Sequence, residues 1–169
     1  VSAHEDFIKI WYIVTERDIE KGARKNLSLV MAAINEAHKN KLRVAVHATE
    51  RITAQLAVEA GADYLVHGVW DQVISDEFVQ LLKKKKTVLC PTMVVMGNYD
   101  KVLGDHYHFT TGELAMANPT TIATVLDYPR PDTGIAGMYI KSMASPQQAV
   151  QQKRTDSIML TNFKKLVAG

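Results

Sequence analysis

Long apolar runs are missing from these 169 residues: no stretch approaches the roughly 20 residues that a bilayer-spanning helix requires. Cysteine is almost missing too. Cys90 is the only one, so no internal disulfide forms and the redox compartment stays open. Charge of one sign is not in excess, and a net +2 is too small to point to nucleic acid or an acidic membrane surface as partner. The one basic run, Lys83 to Lys86, fits the solvated end of a helix, where cations complement the dipole. No Gly-rich turn that cradles phosphate follows any candidate strand, which disfavours phosphorylated substrates. There is no secretory signal. The chain opens at Val1 rather than Met, inside what soon becomes a strand, so that absence says nothing of a parent protein and localisation stays open.

What is present is ordinary globular composition, 47% hydrophobic and 22% charged, in a length suited to one domain. Asp6 to Val14 is apolar and β-branched around a central Lys9 and predicts a strand buried on both faces. A charged loop is expected over Thr15 to Lys25. Leu27, Val30, Met31, Ile34 and Ala37 then mark an amphipathic helix over Leu27 to Asn40. Leu42 to Ala48 and Asp63 to Gly68 are strands, with a helix over Ile52 to Ala60 between them, closed by Gly61. Ser75 caps a third helix whose inner face carries Phe78, Leu81 and Leu82. Thr87 to Thr92 is a fourth strand, limited by Pro91.

The order strand–helix–strand–helix–strand–helix–strand is the signature of a parallel α/β sheet. From Val94 to about Met143 glycine, proline and polar residues break that rhythm. Helical patches such as Glu113 to Ala117 are weak, so residues 94–143 are expected to be a loop-rich insertion acting as a lid or binding loop. A last helix starts with Ser145 as cap and Pro146 at its first position, and ends on Gly169. Its apolar stripe is Met159, Phe163, Leu166 and Val167. Four parallel strands make a small open sheet, and they also amount to half of an eight-stranded barrel.

The chemistry concentrates at two histidines. His47 and His67 each close a strand, twenty residues apart, across one strand–helix–strand unit. Such a unit makes its strands parallel neighbours, so both imidazoles emerge at the same carboxyl end, where α/β folds place their sites. Two imidazoles placed so can share a divalent metal, zinc above all. Lys9 is the third unusual residue, since a buried ammonium is costly and must lose its proton or gain a partner. Either it lies at a sheet edge or pairs with a carboxylate, or it points into a barrel mouth beside His47. There a neutral amine can take up carbon dioxide and, as a carbamate, bridge two metals.

In Phe7-Ile8-Lys9-Ile10-Trp11, Ala37-His38-Lys39, Val44-Ala45-Val46-His47-Ala48, Ala60 to Gly68 and Cys90-Pro91-Thr92, taken in that order and spacing, the chain resembles the amidohydrolase superfamily of metal-dependent hydrolases. The closest branch is the imidazolonepropionase-like and prolidase-like one. The resemblance covers Phe7 to about Met96 and the helix Pro146 to Gly169. It implies part, about half, of a TIM-type (β/α)8 barrel, its fourth to seventh strand units, spread over residues 1–169. It makes His47 and His67 metal ligands from the fifth and sixth strands, and Lys9 the fourth-strand lysine that is carboxylated in binuclear members. One or two metal ions, zinc first, are implied for the complete protein. The implied reaction is cleavage of a C–N bond in a cyclic amide or peptide by metal-activated water.

Departures from the family pattern limit what this chain does alone. The His-x-His of the family's first strand has no counterpart upstream of Lys9. His106-Tyr107-His108 has the right letters but falls in the insertion. His38 matches no ligand. The eighth-strand aspartate that ligates metal and moves the proton would follow Gly169, and Asp156, inside a helix, does not replace it. No catalytic residue is therefore assigned within the chain, and by itself it is expected to be inactive. The alternative is a non-catalytic half-barrel serving as a binding or assembly module. Its open sheet edges favour self-association, with neither nucleic acid nor membrane as partner.

Overall fold

The structure is a computed structural model, and it describes residues 5–95, 98, 107–127, 134–143 and 145–169. Strand β1 (Phe7–Trp11) leads to helix α1 (Ile19–Lys39), β2 (Arg43–His47), α2 (Arg51–Ala60), β3 (Tyr64–Val66), α3 (Asp76–Lys85) and β4 (Val88–Cys90). The four strands form one parallel sheet in chain order, β1-β2-β3-β4. The fold is therefore the α/β class that the alternating rhythm predicts. Among the described residues no helix is long and apolar enough to cross a membrane.

Alternation along each strand sorts residues onto two faces. Val44, Val46 and Leu65 point to one face and are fully buried, packed with Val30, Ile34 and Ala37 of α1, with Ala54, Leu56, Ala57 and Val58 of α2, and with Phe78, Val79 and Leu82 of α3. The other face carries Phe7, Lys9 and Trp11 of β1, then His47, Val66 and Cys90 in register beside Trp11. Several of its described residues are exposed. Phe7 is 53% exposed, Trp11 71% and Val88 56%. The expectation that β1 is buried on both faces is thus corrected: one face is covered and one is open. Lys9 is exposed on the open face of an edge strand, so the cost of burying an ammonium does not arise.

Helix α1 also starts earlier than its apolar spacing predicts. Asp18 caps it, its side chain accepting from Lys21 N at 3.0 Å, so the expected loop over Thr15 to Lys25 gives way to helix at Ile19. The first turns pack through Gly22 and Ala23, both buried, and the Tyr12 hydroxyl donates to Ala23 O at 2.6 Å. Small residues leave no hydrophobic stripe to read. A Cβ on Gly22 would stand 2.4 Å from Val14 Cγ1, which is why glycine is required there. The other boundaries follow local chemistry. Gly61, at φ +103°, closes α2, and the Ser75 side chain accepts from Phe78 N to cap α3.

The chain divides into two compact units, one running to Met93 and resuming over Arg154–Gly169, the other Val94–Lys153. The second holds α4 (Thr111–Met116), α5 (Pro119–Leu126) and α6 (Gly134–Met143), so this segment carries more helix than the loop-rich reading allows. Neither α4 nor α5 buries a residue. Caps stabilise them instead: Thr110 and Glu113 form a capping box, and Asn118 precedes Pro119. His106 lies outside the described residues, and His108 is exposed.

Helix α7 (Pro146–Ala168) begins at a Ser145 cap and carries its last turns into the first unit. Its expected stripe is only partly inward. Met159 is buried, whereas Phe163 is 41% exposed and Val167 72%. Asn162 takes the central place. Its Oδ1 accepts from Ile74 N at 2.9 Å, and its Nδ2 donates to Val69 O and Gln72 O at 3.0 and 3.1 Å. Lys165 Nζ adds a bond to Ile74 O. These bonds pin the segment between β3 and α3, which begins at His67.

Candidate metal centre

His47 ends β2 and stands directly opposite Trp11 of β1 and Val66 of β3. Its ring stacks on Trp11, centroids 5.4 Å apart and planes within 18°. His67 is one residue beyond Val66, so the two histidines are not level as the matching strand ends predict. An extended residue there would point to the helix-covered face. Instead His67 has φ +81°, and this left-handed turn brings its ring against His47 edge to face, with centroids 4.5 Å apart.

The turned backbone is held by the neighbouring strand. His67 N donates to Cys90 O at 2.8 Å, and Gly68 N donates to Pro91 O at 3.2 Å. Thr92, also left-handed at φ +47°, sets its hydroxyl 2.5 Å from His67 Nδ1. His67 and Thr92 are two of the four described non-glycine residues with positive φ, and Thr92 is the β-branched one. On the β2 side, Trp70 N donates to Thr49 O and Arg51 N to Asp71 Oδ1, so the segments following β2 and β3 brace one another.

Both imidazoles are held below the ordinary histidine pKa. For His47 the main cause is burial, then the Lys9 charge, opposed by Glu50. For His67 it is burial, then His47, then Lys9. Lys9 thus acts on both rings from the same open face. Neutral imidazole is the form that ligates metal. Neither nitrogen of His47 nor Nε2 of His67 makes a hydrogen bond to a described residue. The nitrogen donors therefore suit a borderline metal in kind. In number they fall short, because no group of three or more His, Cys, Asp or Glu is placed to hold a metal among the described residues.

His38, which matches no ligand, pairs with Asp63 at 2.9 Å, and Asp63 also accepts from Val44 N at 2.7 Å. The pair ties α1 to the start of β3, away from the histidine ends. The sequence singles out the two histidines and Lys9 as candidates, and gives no role to Trp11 or Thr92, which touch the histidine rings. Trp11 was recoverable from register, once β1 is set against β2. A left-handed threonine leaves no sequence signal.

No family model matches the sequence, and no curated protein does. Among solved structures the chain is similar to one described as the crystal structure of a Xaa-Pro dipeptidase with bound methionine in the active site. The identity is 19% and the TM-score 0.44, over 96% of this chain and 44% of that one. The chain thus spans less than half the length of that dipeptidase. A likeness so distant does not bear on the site.

Proposed function

We propose that the chain is part of a metal-dependent hydrolase of the amidohydrolase type, built on about half of a (β/α)8 barrel. His47 and His67 hold a divalent metal, for which zinc best suits neutral imidazole. The observation that carries this reading is the facing pair of rings, 4.5 Å apart at adjacent strand ends. A carbamate on Lys9, which lies on the same face, would supply an oxygen ligand to a second ion only after the exposed ammonium that acts on both rings had lost its proton. A bound divalent metal supplies a Lewis acid and an activated water, the chemistry that opens a C–N bond in a cyclic amide or a peptide. The residues of this chain keep the two imidazoles neutral by partial burial and fix their planes, Trp11 by stacking on His47 and Thr92 by bonding His67. Two nitrogen donors do not complete a zinc site, so no catalytic step is assigned to this chain by itself.

Metal content and turnover test the reading together. The expected result is zinc uptake that is lost in the double variant His47→Ala/His67→Ala, with no enzyme-like hydrolysis of amide substrates. Uptake unchanged in the double variant sinks the metal assignment. Fast hydrolysis by the chain alone sinks its incompleteness.

A second reading, a non-catalytic half-barrel acting in assembly, has its own observation. Phe7, Trp11 and Val88 are exposed on one face, and among the described residues β1 and β4 are the outer strands of the sheet. It is tested by the state of association in solution.

A further inference from the structure

We infer that the cleft between α3, β4 and the end of α7 binds a small free carboxylate with a hydrocarbon body, its anionic head at Lys83 and Lys86. The inference goes beyond the metal reading and uses neither histidine. The cleft measures about 430 Å³, a volume in the range of small-molecule sites. Leu82 of α3, Leu89 of β4 and Phe163 and Leu166 of α7 supply its apolar walls. Its one neutral polar side chain, Thr87, is already engaged, the hydroxyl donating to Ala62 O at 2.8 Å. Among the described residues no acidic side chain lines it.

Two sequence features that the histidine site leaves unused meet here. The lysine run is divided by its turn of helix. Lys85 Nζ donates to Glu59 O at 3.4 Å, and Lys84 shares the outer side of α3 with Asp76 and Glu77. Lys83 and Lys86 line the cleft instead, and neither makes an ion pair with a described residue. Lys86 does so from φ +57°, the left-handed position closing α3 that glycine would fill without strain. The second feature is the outward part of the α7 stripe, since Phe163, 41% exposed, becomes a wall of the cleft. Apolar walls with unpaired cations at the rim are complementary to an anion that carries a hydrocarbon body. Both lysines are exposed, so the body contributes most of the affinity and the head sets the preferred sign of charge.

Titration of the full chain with decanoate, kept below its micelle concentration, is followed on the methyl resonances of Leu82, Leu89 and Leu166. Saturable shifts at these methyls are expected, with butyrate and decyltrimethylammonium each bound about 10-fold more weakly or worse. Lys86→Gly relaxes the turn, so it should fold as the parent does while binding decanoate about 3–10-fold more weakly. Lys83→Glu/Lys86→Gly should bind more weakly still. Should the glycine variant fail to fold, Lys83→Glu, on an exposed side chain, reads the same loss. Equal affinity for the ammonium analogue, or decanoate binding unchanged in the lysine variants, overturns the inference. So does the absence of saturable shifts. Shifts that follow protein concentration instead of decanoate assign the cleft to a second copy and overturn it, as do shifts caused by anionic vesicles but not by free decanoate.

Discussion

Each of the two facing imidazoles is partly withdrawn from water, and each lies within reach of the Lys9 charge, so protonation is harder in the folded chain than in the unfolded one. The sign of the consequence is fixed. Below the ordinary histidine value of about 6.5 the unfolded state binds protons that the folded state refuses, so these residues lower stability as pH falls through that value. Above it both states are neutral and their contribution is flat. Urea midpoints measured with a chelator present should therefore decline from pH 7 to pH 5. A His47→Gln/His67→Gln variant should decline less over the same window, and equal slopes would refute the assignment. At this scale the sequence was readable where chemistry depends on order along the chain, as for His47 and His67. It was silent on Thr92, whose role depends on a φ that no residue type announces.

Among the elements, α7 shows how a polar residue can hold a junction better than the apolar stripe around it. Asn162 satisfies Ile74 N, Val69 O and Gln72 O with one side chain, and it is only 4% exposed. Asn162→Leu keeps a similar volume but strands the Ile74 N–H, an expected loss of about 2–3 kcal/mol in urea unfolding. A loss under 0.5 kcal/mol would show that water replaces the amide without penalty. Helical spacing pointed at this face through Met159 and Leu166, and Asn162 falls between them at the inward position. A polar residue on an apolar stripe was the signal, and hydrophobicity alone passes over it. The start of α1 escaped notice for a related reason. Gly22 and Ala23 pack by being small, and Asp18 caps, so nothing there looks like an amphipathic helix.

For the whole molecule, the sheet's layering was legible only in part. Period-two patterning separates faces when one is polar, but on the open face of β1 only Lys9 interrupts two aromatic residues, so that face could not be told from a buried one. Phe7 and Trp11 are the cost of that ambiguity. Exposed aromatic residues beside the outer strand of the described sheet favour association, and sedimentation should find dimers or larger species at micromolar concentration. Trp11→Lys, at the end of the outer strand β1 on that face, should shift the distribution toward monomer. A well-folded monomer at all concentrations would count against assembly as a function. A last consequence follows from where the first unit lets the chain go and takes it back. Met93, where it leaves, and Met159, soon after it returns, line one small cavity together with Asn162. Closing a loop costs only about 0.6 kcal/mol more for each doubling of its length. A change in length before Pro146, where α7 begins, is thus expected to cost the first unit little, provided the amide of Asn162 finds its three partners.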